Sequence, residues 1–197
     1  LDEIIQLNNN EMALILPVKD TRPVFGKNCF LAPNATICGD VIMGDECSVW
    51  FNAVVRGDVN SIRTGNRVNI QDGALIHCTY ENLPAGQAGT KVVIGNNVSV
   101  GHNAIVHGCK INDNVLIGMG AIVMDNVEIG SNTIIAAGAV VTEGTIVPEG
   151  CIFAGVPARK MKDISKELIS GEIERIAKNY LMYSSWFSEA EDGYQEP

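Results

Sequence analysis

The chain has 197 residues, 46% hydrophobic but only 6% aromatic, with 20 glycines. Those proportions allow one sizeable core of small aliphatic side chains and favour strands and tight turns over helices. A net charge of −9 speaks against nucleic acid or an anionic membrane as a partner.

No run reaches the ~18 apolar residues that a membrane span needs. No signal-peptide pattern follows Leu1. Six cysteines without a Cys-x-x-Cys pair predict a reduced, cytoplasmic setting.

The first expected element is a strand over 13–16, closed by Pro17 and capping the open end of the repeats that start at Phe25. From Phe25 the chain keeps a six-residue period. Aliphatic residues recur at Leu31, Ile37, Met43, Val49 and Val55. Small or branched residues stand four positions after each, and after Phe25: Cys29, Ala35, Val41, Cys47, Ala53 and Val59. The period slips near 61–64 and resumes at Ile70 and Ile76. A second phase runs Ile94, Val100, Val106, shortens by one residue to Ile111, and then holds through Ile117, Val123, Ile129, Ile135, Val141, Val147 and Phe153. Its partners run from Val115 to Pro157.

A fixed short period signals a β-solenoid, in which each hexad is a strand plus a corner. A helix is excluded because six is not a multiple of 3.6. The hexads resemble the left-handed parallel β-helix, whose triangular coil takes three hexads, about 18 residues. The expected organisation is an all-β left-handed β-helix with its N-terminal cap over 1–160 and a helical segment over 161–190. In that segment Ile164, Leu168, Ile169, Ile173, Ile176, Ala177, Tyr180 and Leu181 recur at helical spacing, with Gly171 as a break. The acidic tail from Ser188 is expected to fray.

All three histidines, His77, His102 and His107, fall between Ile76 and Cys109. His77 and His107 each follow an inward residue and lie thirty residues apart. The intervening stretch from Thr79 to Lys91 keeps no hexad pattern. With about 12 of its residues set aside as a protruding loop, one coil remains. The two imidazoles then stack on adjacent rungs about 4.8 Å apart, within reach of one metal ion at ~2.1 Å. His102 lies across a corner and should face another side. One chain then does not close a three-histidine site, and a neighbouring chain could supply the third ligand, making a trimer with intermolecular sites.

The segments Val55-Arg56-Gly57-Asp58, Asn69-Ile70-Gln71-Asp72-Gly73, Ile76-His77, Val100-Gly101-His102 and Val106-His107-Gly108-Cys109 resemble the gamma-class carbonic anhydrases. The resemblance runs from about Pro23 to the terminal helix. It implies a homotrimer in which His77 and His107 of one chain and His102 of the next bind zinc, or Fe2+ or Co2+, and a reversible hydration of CO2 to bicarbonate. A metal on three histidines with an open position brings bound water to a pKa of about 7, a value established on a carbonic anhydrase.

By the same resemblance Gln71 orients the hydroxide, Asn69 positions CO2 or bicarbonate, and Arg56 and Asp58 join Asp72 in a cross-subunit ion-pair network. Tyr180 either reaches the metal pocket or only packs. Founding members of the family carry two proton-moving glutamates. Here Val59 stands at the first position and Glu81 could serve as the second, so slow or absent turnover is part of the expectation.

Two other readings stay open. The segment from Phe153 to Arg159 resembles the end of hexapeptide-repeat acyltransferases, and a trimeric metal-binding structural protein needs no turnover at all. Cys29, Cys47, Cys78, Cys109 and Cys151 read as core residues.

Overall fold

The computed structural model describes residues 13–80 and 89–189. Short parallel strands follow one another round three faces, each paired with the strand one coil earlier. One face stacks seven parallel strands, from Phe30–Leu31 to Cys151–Gly155. The other two faces are joined by the long strands Thr36–Met43 and Val54–Thr64, which continue round the corner between them. The fold is the left-handed β-helix of hexapeptide repeats.

Every inward residue of the two phases, from Leu31 to Phe153, is buried. Burying one such Val or Ile side chain stabilises the fold by about 1.5–3 kcal/mol relative to exposure. Many corners take a left-handed backbone, supplied by asparagine at Asn34, Asn52, Asn97, Asn114 and Asn132. Asparagine tolerates that conformation because its short side chain bonds locally. The shortening before Ile111 is real: Ile94 pairs with Ile111, and Ile111 with Ile129.

The slip lies earlier than the sequence predicts. Gly39 pairs with Gly57 but Val41 pairs with Ile62, so the offset grows from 18 to 21 residues between them. The extra residues therefore follow Gly57, and Val59 is a half-buried residue of that insertion rather than a regular hexad position. Of the small positions, Cys29 is half-buried and Pro157 exposed. The repeat has ended by Pro157, and Ala158–Asp163 folds back antiparallel on Cys151–Gly155. Leu14–Leu16 joins the sheet as a parallel strand on 36–38.

The terminal segment starts at Ser165, whose Oγ accepts from Leu168 N at 3.3 Å. Gly171 does not split it: a π-helical turn over Ile169–Glu174 leads directly into the α-helix Arg175–Glu189. Ile173 and Ala177 are buried. Phe30, Ala32 and Trp50 form a second small core outside the solenoid, against which Tyr180 and Tyr183 pack. The Trp50 ring meets Tyr180 at 5.1 Å and Phe187 at 5.7 Å between centroids. Among the described residues no helix is long and apolar enough to cross a membrane. Glu81 and the acidic tail beyond Glu189 lie outside the described residues.

Candidate metal centre

His77 ends the strand Leu75–His77 and His107 ends Ile105–His107; the two are register partners on adjacent rungs. Setting the insertion aside therefore does recover one coil. His77 Nδ1 lies 3.1 Å from His107 Nε2. Carboxylates hold the outer nitrogens. His77 Nε2 is 3.1 Å from Asp58 Oδ1, and His107 Nδ1 bonds Asp125 Oδ1. Arg56, the register partner of His77 on the preceding rung, donates from Nη1 to Asp58 Oδ2 at 2.6 Å. This Arg56–Asp58 pair is made within one chain.

Electrostatics favour a neutral His77. Burial lowers its pKa, and the hydrogen bond to Asp58 only partly offsets this. Burial pushes Asp58 up, but the hydrogen bonds from Arg56 and His77 outweigh it, and its pKa falls below the ordinary carboxylate value.

His102 stands apart, across the corner after Ser99–Val100. Its Nδ1 lies 2.9 Å from Asp72 Oδ2 and its Nε2 3.4 Å from the Tyr180 hydroxyl. Within the chain Asp72 faces His102. Burial, reinforced by the Asp72 charge, pushes the Tyr180 phenol up to about 12, so the hydroxyl keeps its proton at neutral pH. Asn69 and Gln71 are buried on the same side: Gln71 Nε2 donates to Asn69 Oδ1 at 3.0 Å, and Asn69 Nδ2 donates to Ser99 Oγ at 2.7 Å. Gln71, His102 and Tyr180 share a cavity of about 420 Å³ with Met119, Ile134 and Ile176.

One chain therefore carries two separate clusters, each a half-site in the reading proposed below. The first holds His77, His107, Asp58 and Arg56; the second holds His102, Asp72, Gln71, Asn69 and Tyr180. Among the described residues no three His, Cys, Asp or Glu side chains converge on one metal position.

The first half-site fits a metal ion. If the outer nitrogens donate to the carboxylates, His77 Nδ1 and His107 Nε2 turn lone pairs toward each other at 3.1 Å, an arrangement that suits a cation held by both. Two nitrogens at ~2.1 Å from one tetrahedral ion lie about 3.4 Å apart, close to this separation.

Sequence reading did not single out Asp125 or Thr79. Thr79 Oγ1 donates to Asp125 Oδ2. The available signal was spacing, since Asp125 follows His107 by 18 residues, one coil. Cys78 and Cys109, beside the ligands, are buried in the core, and burial raises the Cys78 thiol to about 11.

The rungs and the hexads define a hexapeptide-repeat protein. The family described as "Bacterial transferase hexapeptide (six repeats)" matches residues 22–57 and 108–143. A carbonic anhydrase of Geobacillus kaustophilus is 42% identical over 88% of this chain and 91% of its own. The mitochondrial gamma carbonic anhydrase 2 of Arabidopsis thaliana is 40% identical over 85% of this chain, which spans 59% of that relative's length. A solved hexapeptide transferase family protein of Anaplasma phagocytophilum superposes with a TM-score of 0.79 at 35% identity, covering 88% of this chain and 97% of its own. The chain belongs to the gamma-class carbonic anhydrase-like family of hexapeptide-repeat proteins.

Proposed function

We propose that this protein catalyses the reversible hydration of CO2 to bicarbonate as a homotrimer. A divalent metal, zinc in the first place and Fe2+ or Co2+ as alternatives, is held by His77 and His107 of one chain and His102 of the next. The carrying observation is the in-register pair His77–His107, with two ring nitrogens converging and the other two held by carboxylates. Relatives named carbonic anhydrase support the same reaction. The six free cysteines support a reduced, cytoplasmic setting.

When bound, the metal supplies Lewis acidity and a hydroxide nucleophile at neutral pH. The chain's own residues do the rest. Asp58 and Asp72 orient His77 and His102 through their outer nitrogens. Gln71, whose amide nitrogen donates to Asn69, keeps its carbonyl oxygen to accept the proton of the attacking oxygen and turn its lone pair toward CO2. The Asn69–Ser99 bond fixes that pair of amides. The apolar walls around His102 and Gln71 suit a substrate without net charge. Val59 cannot carry a proton out, which leaves Glu81 as the residue that could and makes slow turnover part of this reading.

The test is stopped-flow CO2 hydration on protein purified without oxygen, with metal content measured on the same sample. One metal per chain and hydration abolished in His107→Ala are expected. Metal without hydration would leave a trimer that uses the ion for cohesion. No metal after reconstitution would sink the reading and bring back an acyltransferase.

A further inference from the structure

Asp125 occupies a turn one coil after His107 and takes no part in the repeat's core. Its two carboxylate oxygens are divided between two partners. Oδ1 accepts from His107 Nδ1 and Oδ2 from Thr79 Oγ1, so the carboxylate bridges the rung of one candidate ligand and the irregular segment after the other. The close approach needs Gly108: a Cβ there would fall inside contact distance of the Asp125 carboxylate, and the residue also has φ +48°. Further backbone bonds tie the same region: Thr79 N donates to Thr90 O at 3.0 Å, and Gly108 N donates to His77 O at 3.0 Å.

We infer that Asp125 is a positioning residue of the metal centre, which fixes His107 in its Nδ1–H tautomer and thereby makes Nε2 the ligating atom. The inference rests on the metal site proposed above. An ionised carboxylate only accepts hydrogen bonds, so the Nδ1 it faces must carry the proton and the lone pair must lie on Nε2. Asp58 does the converse for His77, taking Nε2–H and leaving Nδ1. The two rings are thus held in opposite tautomers by carboxylates on either side of the pair, and only that combination points both lone pairs into the shared space. Without Asp125 the His107 ring would be free to exchange tautomers and turn about its side-chain torsions. Each ion bound would then have to select one ring state from several.

The experiment compares the parent protein with Asp125→Ala, Asp125→Asn and Thr79→Val. Two readouts are taken: Zn2+ and Co2+ affinity by competition with a chelator, and the His107 tautomer by 15N NMR on metal-free protein. Asp125→Ala should weaken metal binding by about 10- to 100-fold and give mixed His107 tautomers. Asp125→Asn keeps an acceptor oxygen for Nδ1–H and should lose less, as should Thr79→Val, which only frees the carboxylate. Melting temperatures of the metal-free variants close to the parent's would exclude a plain folding defect. The ordering parent, then Asn, then Ala in both readouts supports the role. Should Asp125→Ala fail to fold, Asp125→Leu replaces it as the variant without an acceptor, and parent-like affinity and tautomer in it would overturn the role. Parent-like affinity and tautomer in Asp125→Ala would overturn it directly. A parent that binds no metal yet shows the single Nδ1–H tautomer, lost in Asp125→Ala, would overturn the metal reading and leave the positioning role standing.

Discussion

The Tyr180 hydroxyl lies 3.4 Å from His102 Nε2 and joins the terminal helix to a corner 78 residues earlier in the chain. The Tyr180 ring is held by Trp50 at 5.1 Å, so the position of a hydroxyl at the second half-site depends on an aromatic core outside the solenoid. Trp50→Ala removes that support. A loss of about 3–5 kcal/mol is expected for a buried tryptophan. Urea unfolding measures the loss, and hydrogen exchange should find faster opening along Arg175–Glu189 than in the rungs.

The proposed sharing of the metal site between chains makes a complementation prediction. His102→Ala and His107→Ala homotrimers should each be unable to close a three-histidine site. Mixed after unfolding and refolding together, they should recover roughly a quarter of the parental metal sites, because one interface in four pairs an intact first half-site with an intact His102. Recovery of none, with trimers formed, would place all three ligands in one chain or none at the metal.

In metal-stripped protein His77 should make stability fall with acid. Its folded pKa is lowered from the ordinary histidine value of about 6.5. Between the two values the unfolded chain binds more protons than the folded one, so stability rises with pH. The contribution is complete above about 6.5 and is lost as pH falls toward the lower folded value. Urea midpoints at pH 7.5 and 5.5 should differ, and His77→Gln should narrow the difference.

Val59 sits half-buried in the three-residue insertion and lines a polar recess with Asp40, Asn60 and Arg63. If proton export limits hydration, the parent's rate should climb with buffer concentration. Val59→Glu should then raise the low-buffer rate, by up to about 10²-fold, and flatten the buffer dependence. Unchanged buffer dependence in Val59→Glu would move the limiting step elsewhere.

The rungs were legible because the inward residues of a hexad have nowhere else to go. From Ile111 to Phe153 the aliphatic positions alone mark the coil, and all are buried. The same ruler placed His77 against His107. Corners were less legible, since they face solvent and accept many residues. The three-residue insertion was displaced in the sequence pattern because Val59 falls, four residues after Val55, where a hexad's small or branched residue is due. Asp125 was missed because an acidic residue in a turn looks like any solvated turn residue until its distance from His107 is counted in coils. His102 was legible as different in side, but its pairing with Asp72 and Tyr180 depends on how a distant helix docks.

The antiparallel strand Ala158–Asp163 closes one end of the stacked face. A stack of in-register parallel strands ends in a ledge of unpaired backbone groups, which is a template for another chain. By turning back across Cys151–Gly155, the chain covers part of that ledge with its own strand and presents Lys160 and Lys162 along it. Those two lysines on the edge strand disfavour end-to-end growth into a fibre.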